Sequence, residues 1–254
     1  MAEKDDATFA RRDILKQIAT VAGAAPLSPG LLGATAATTA VAVTPVLATP
    51  AAASPNVPAP IAGYQSLSPT EAAFVEALVN VMCPADQLTP SGVDCGLATF
   101  IDRQLAGGFG KGENVYMHGP WRQGKPQLGY QLPLTPEQFF KAGIAVANAA
   151  CRARFSKDFD ALPAADAEAF LQDLSKGKVT DPRVPLGQWF NDLAYPLFVQ
   201  ASFADPIYGG NADKVFWRMI GYPGLPATHA RDMVEYRGKP YPGAKDPKSI
   251  ADFS

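Results

Sequence analysis

Twice along this chain a hydroxyl residue is followed by proline and, three places on, by Glu or Gln: Ser68-Pro69-Thr70-Glu71 and Thr135-Pro136-Glu137-Gln138. The hydroxyl can cap the first free amides of a helix, the proline suits the first helical position, and the Glu or Gln can reach back to close a capping box. An apolar stripe at helical spacing follows each one, Phe74, Val75, Leu78, Val79 and Met82 after the first and Phe140, Ile144, Ala147, Cys151 and Phe155 after the second. Cys83-Pro84 should end the first helix. Three more helices are expected: about Gly96 to Ala106 (Leu97, Phe100, Ile101, Leu105 inward), about Ala164 to Ser175 (Phe170, Leu171, Leu174 inward, Gly177 just past its end), and about Leu186 to Ser202, kinked at Pro196. No stretch alternates with period two between hairpin turns, so the fold class is all-α: a small irregular helical domain with long Gly/Pro-rich loops. Beyond Gly221 the chain is punctuated by Pro, Gly and Lys without a helical period, and an extended tail is expected to lie along another protein.

The ends of the chain differ in composition from its middle. Arg11-Arg12 precede a mildly apolar stretch from Ile14 to Leu32, and after Lys16 no charge occurs before Glu71. This reads as a twin-arginine export signal. Residues 34–60 are almost wholly Ala, Thr, Val and Pro and should form a semi-rigid linker. The expected organisation is a signal region over 1–33, a linker over 34–65, a helical domain over 66–225 and a tail over 226–254.

Charge and composition exclude several functions. Lys and Arg number 22 against 24 Asp and Glu, a net charge of −2, so no cationic excess is present to neutralise nucleic-acid phosphates. No apolar run is long and unbroken enough to predict a membrane-spanning helix. The chain has 3 Cys and 2 His, with no Cys-x-x-Cys-His haem attachment and no ligand spacing around His118 or His229. The stretch Gly107-Gly108-Phe109-Gly110-Lys111-Gly112 lacks the last glycine of a dinucleotide loop and the Gly-Lys-Ser/Thr of a phosphate loop, and reads as a mobile loop. No Gly-x-Ser-x-Gly elbow occurs, and Asp158 with Asp160 reads as a solvated helix end. No catalytic, cofactor-binding or metal-binding residue is therefore assigned.

The cysteines leave two arrangements open. Cys83 and Cys95 could close an eleven-residue ring, which the chain-entropy model rates at roughly 2–3 kcal/mol, with Cys151 a buried free thiol on its apolar helix face; alternatively one of the three, Cys151 included, could bond to a second chain. Aromatic residues in loops supply candidate contacts with a partner, namely Tyr116, Trp121 and Tyr222, whereas Trp217 and Ile220 should pack inward.

The segments Phe203-Ala204-Asp205-Pro206-Ile207-Tyr208-Gly209-Gly210-Asn211 and Trp217-Arg218-Met219-Ile220-Gly221-Tyr222-Pro223-Gly224 closely resemble the signature of the gluconate 2-dehydrogenase subunit 3 family. In this turn Asp205 can cap, Gly209-Gly210 permit positive backbone angles, and Tyr208 would be held on a rigid loop for docking. The resemblance covers roughly residues 66–225 and implies a non-catalytic small subunit of a membrane-associated sugar or sugar-acid dehydrogenase in the periplasm. It implies a large flavoprotein partner of glucose-methanol-choline type carrying FAD, a multihaem cytochrome c subunit carrying haem c, membrane association through the complex, and a role as escort for twin-arginine export. The expected partner interface is Tyr116, Trp121, Asp205, Tyr208, Gly209, Gly210 and Tyr222. A stand-alone secreted sugar-binding protein or enzyme built on the His118/Trp121 loop is the competing expectation.

Overall fold

A computed structural model describes residues 63–253, apart from residues 123, 126, 127 and 227. Arg11, Arg12 and nearly all of the expected linker lie outside the described residues. The described residues belong to one unit, Pro58–Ser254. The helices are α1 (Pro69–Met82), α2 (Leu97–Ala106), α3 (Pro136–Phe155), α4 (Ala164–Ser175), α5 (Leu186–Gln188), α6 (Tyr195–Phe203), α7 (Val215–Ile220) and α8 (Ala230–Glu235). Among the described residues, the β pairing is a single parallel bridge between Gly224 and Lys248, so the all-α expectation holds.

The capping signals act locally, as their spacing predicts. The Glu71 carboxylate accepts the Ser68 amide at 2.8 Å. Thr135 and Gln138 exchange hydrogen bonds in both directions, at 3.0 and 3.3 Å. The long helix expected from Leu186 is continuous into α6, but its middle, Trp189–Ala194, is a π turn rather than a simple kink. Pro196 cannot donate to the turn below and its ring crowds that turn's carbonyl; an expanded π turn just upstream accommodates both.

The core is aromatic and centres on Trp189. Its indole lies against Gly143 of α3, where an added Cβ would come within 2.1 Å of Nε1, and Nε1 donates to the Phe140 carbonyl at 3.1 Å. Phe74 of α1 and Phe140 of α3 flank the indole, with ring centroids 6.1 and 5.9 Å away. Phe159 packs against Phe74 at 4.7 Å, and its amide is held by the buried Asn148 side-chain oxygen.

Entry into α1 is held by a buried carboxylate. Asp102 of α2, 1% exposed, accepts the amides of Gln65, Ser66 and Leu67 at 2.7, 2.8 and 2.9 Å. Three amide donors satisfy a charge that burial would otherwise penalise strongly.

Two expectations are corrected. The glycine-rich stretch after α2 is tightly hydrogen-bonded, with Gly107, Gly110, Lys111, Gly112 and Glu113 amides all returning to nearby carbonyls, and Gly110 accepting from Glu137 at 2.9 Å. The tail is not featureless: it contains α8 and the 3₁₀ turns Pro242–Lys245 and Ile250–Phe253, and it returns to its own chain at Asp205 and Lys214. Its helical segments are too short to show a period in the sequence, and its anchors are far away along the chain.

Replacing Gly143 with Ala drives a methyl into the Trp189 ring. Gly143→Ala should lower unfolding free energy by about 2–3 kcal/mol in chemical denaturation; an unchanged midpoint would show that the indole does not define the core.

Candidate functional site

The segment that follows α6 is built as a sequence of tight turns. Asp205 caps the first, its Oδ1 accepting the Ile207 amide at 3.1 Å, and residues Pro206–Tyr208 make one 3₁₀ turn. Gly209 then takes a φ of +99°, which side chains rarely adopt. Gly210 does not have positive φ, contrary to the expectation for the glycine pair; it is glycine because a Cβ there would sit 2.3 Å from the Ala201 carbonyl oxygen of α6. The left-handed positions that follow are Asn211, Asp213 and Lys214.

Asn211 is fully buried and ties this segment together. Its side-chain nitrogen donates to the Ala204 carbonyl at 3.1 Å, and its side-chain oxygen accepts the Phe216 amide at 3.0 Å. One side chain thereby joins the end of α6 to the start of α7. The next residue, Ala212, donates its amide to the Cys95 carbonyl at 3.0 Å, and Gly96 leaves room for the Gly209 carbonyl, which a Cβ would approach to 2.2 Å. The turn therefore sits directly on the Cys95-Gly96 corner ahead of α2. Composition and periodicity assign Asn211 no role; the signal that points to one is an Asn placed after two glycines and ahead of an apolar helix.

Packing inward and facing outward are divided cleanly. Gly209, Gly210 and Asn211 serve the chain's own packing, whereas Ile207 and Tyr208 are 42% and 52% exposed. Trp217 is buried and donates to the Phe203 carbonyl at 2.8 Å. Ile220, expected inward, is 52% exposed, because α7 is too short to turn more than one face to the core. Tyr222 stands edge-on to Trp217 at 5.2 Å and stays partly exposed.

Phe203, Asp205, Trp217, Ile220 and Tyr222 line a largely apolar groove of about 420 Å³. Its remaining wall comes from Gly224 and Leu225 at the end of the helical domain and from Ile250 of the tail; sequence reasoning missed Leu225 and Ile250. Asp205 reaches across to it, Oδ2 accepting the Ile250 amide at 2.9 Å. Lys248 pairs with Pro223 and Leu225 along the backbone, and Lys214 binds Asp252 at 2.6 Å. Lys214 and the Ser249 amide hold the Asp252 carboxyl down at about 2. His229 adds a further tie: Nδ1 lies 3.1 Å from Asp232 and Nε2 3.1 Å from the Gly224 carbonyl, while Tyr241 donates to the same Asp232 oxygen. Two acceptors for two ring nitrogens favour the imidazolium, and the Asp232 hydrogen bond raises the pKa above its ordinary 6.5.

Tyr116 and Trp121 lie elsewhere, in the segment between α2 and α3. Tyr116 is 77% exposed and meets His118 edge-on at 5.7 Å; Trp121 is 36% exposed. These two do not join the turn residues in one lining: neither borders the apolar groove. A second, more polar cleft of about 320 Å³ is lined by residues including Gln131, Asp181, Arg183 and Gln188. Cys83, Cys95 and Cys151 are all buried as free thiols, and desolvation pushes the Cys151 thiol up to about 12. Among the described residues, no cluster of His, Cys, Asp or Glu could hold a metal ion, no helix is long and apolar enough to cross a membrane, and every fully buried side-chain nitrogen and oxygen has a hydrogen-bond partner.

Two outcomes follow from this geometry. Asn211→Ala strips a buried turn of both bonds and should destabilise the isolated chain by about 2–4 kcal/mol, whereas Tyr208→Ala should change it by no more than about 0.5 kcal/mol in the same denaturation assay; equal effects would refute the division between scaffold and display. His229 has a raised folded pKa, so its tie is complete below about 6.5 and is lost as pH rises through the raised value. An NMR titration should place the His229 midpoint above 6.5; a midpoint at or below that value would contradict the bonding described.

A family model described as gluconate 2-dehydrogenase subunit 3 matches residues 69–224. No curated protein and no solved structure matches the chain.

Proposed function

The chain belongs to the gluconate 2-dehydrogenase subunit 3 family, and from that premise we propose that it is a non-catalytic subunit that binds and stabilises a flavoprotein and escorts it through twin-arginine export. The family places the chain in a multi-subunit dehydrogenase. The partner is a large FAD-bearing subunit of glucose-methanol-choline type, and a multihaem cytochrome c carries the electrons onward. Membrane association comes through the complex, on the periplasmic side.

The observation that carries this reading is the construction of the 203–225 segment. Its glycines and Asn211 are spent on internal packing and hydrogen bonds, and the result is a firm turn that shows Ile207, Tyr208, Ile220 and Tyr222 to solvent beside an apolar groove. Large apolar side chains held on a pre-ordered loop lose little entropy when they dock, and aromatic residues supply most of the energy at interface centres. The assignment of FAD to the other subunit follows from the family reading. Tyr116 and Trp121 form a second exposed aromatic site for the same partner. The export role rests on Arg11-Arg12 and the uncharged stretch behind them.

Two measurements test the halves of this reading. Ile207→Asp with Tyr208→Ala should leave the chain folded by circular dichroism and reduce recovery of the flavoprotein in a tagged pull-down at least tenfold; undiminished recovery would remove this face from the interface. Arg11→Lys with Arg12→Lys should retain both this chain and the flavoprotein in the cytoplasm. A partner that still reaches the periplasm fully active would end the escort role.

A further inference from the structure

We propose that Cys83 and Cys95 are joined by a disulfide in the exported protein, and that this bond locks the corner on which the Asp205–Asn211 turn is seated. The inference rests on the export part of the reading above, since thiols persist in the cytoplasm and pair outside it.

The two sulfurs converge in the fold. Cys83 follows α1 directly and Cys95 precedes α2, and the Sγ atoms lie 3.8 and 3.7 Å from one and the same acceptor, the Pro90 carbonyl. Cys83 Sγ also lies 3.7 Å from the Thr89 hydroxyl. The backbone holds the ends of the loop together as well: the Gly92 amide donates to the Cys83 carbonyl at 2.8 Å, and a Cβ on Gly92 would strike the Val79 carbonyl at 2.3 Å. The proximity of the two thiols lowers the pKa of Cys83 and raises that of Cys95, which favours Cys83 as the attacking thiolate.

The arrangements left open by the sequence are separated by burial. All three thiols are buried, so none is displayed to a second chain. Residues 85–88, which lie in the loop between the pair, are exposed, and local opening of that short stretch is enough to admit an oxidant. The Cys83 thiolate attacks one sulfur of a disulfide oxidant, such as oxidised glutathione, and expels one thiolate. Cys95 then attacks the Cys83 sulfur of the mixed disulfide and expels the other. Two electrons pass from the cysteine pair to the oxidant, and the two protons the pair loses are taken up by the two leaving thiolates. The second step is intramolecular, so a nearby Cys95 outcompetes any external thiol. Cys151, fully buried on α3 with a raised pKa, stays a thiol.

The consequence reaches the candidate interface. The Cys95 carbonyl accepts the Ala212 amide, and Gly96 accommodates the Gly209 carbonyl. A bond from Cys95 to the end of α1 therefore fixes the support under the turn that displays Tyr208.

The test uses the purified full-length chain, reduced and then equilibrated with a mixture of reduced and oxidised glutathione, quenched with acid, unfolded and alkylated. One alkylated cysteine, Cys151, and a Cys83–Cys95 linked peptide by mass spectrometry are expected, with a monomer on a non-reducing gel. Three alkylated cysteines, a bond to Cys151 or a disulfide-linked dimer would overturn the proposal. Oxidation should also raise Tm by about 5–10 °C. That rise should vanish in the Cys83→Ser, Cys95→Ser variant; no rise in the native chain, or one that survives in the variant, would overturn the locking role. The assay needs neither export nor a partner, so its failure leaves the accessory-subunit reading to stand or fall on the pull-down.

Discussion

Asn211 is the residue on which the functional half of this structure depends. It is buried, left-handed, and bonded through both ends of its amide to backbone groups that belong to the ends of different helices. An unpaired polar group in that position would meet the full desolvation penalty, so the carboxamide specifies one geometry for the chain leaving α6 and entering α7. Gly209 is needed because that geometry gives it a φ of +99°, and Gly210 because the turn lies against the Ala201 carbonyl of α6 with no room for a side chain. What results is a short connection with far less freedom than its Gly-rich sequence implies.

The features legible in the sequence are those governed by neighbours within about four residues. Ser68 with Glu71 and Thr135 with Gln138 place two helices to the residue, and Asp205 is the cap that its position before Pro206 suggests. What escapes such reading is set by distance. Asp102 looks like a surface charge on an amphipathic helix, and only the return of residues 65–67 makes it a buried anchor. Gly143 reads as a weak point in α3 until Trp189, 46 positions later in numbering, is laid against it. Hydrophobicity alone sends Ile220 inward, but a six-residue helix cannot bury every apolar residue it carries. The tail defeats local reading for the same reason: its anchors at Asp205 and Lys214 are not near it in the chain.

The candidate site is half legible for a related physical reason. Sequence can nominate Tyr116, Trp121, Tyr208 and Tyr222 as aromatic residues in loops, but exposure is a property of the packed whole. The structure separates the nominated residues into two groups that do different work. Gly209 and Gly210 form the mount, and Tyr208 and Tyr222 remain available at its face. The groove beside them is completed by Leu225 and Ile250, both beyond the family-matched span, and through Ile250 the tail borders the surface that the signature begins.

The central claim is that redox chemistry resides in a protein this chain holds, not in the chain itself. The most direct measurement is the visible absorption spectrum of the purified chain, taken alone and again after isolation with the proposed flavoprotein partner, together with sugar oxidation by each sample using an artificial electron acceptor. The account predicts a colourless, inactive chain alone, and flavin absorbance with turnover only when the partner is present. Bound flavin or haem in the isolated chain, or sugar oxidation by it, would contradict the account.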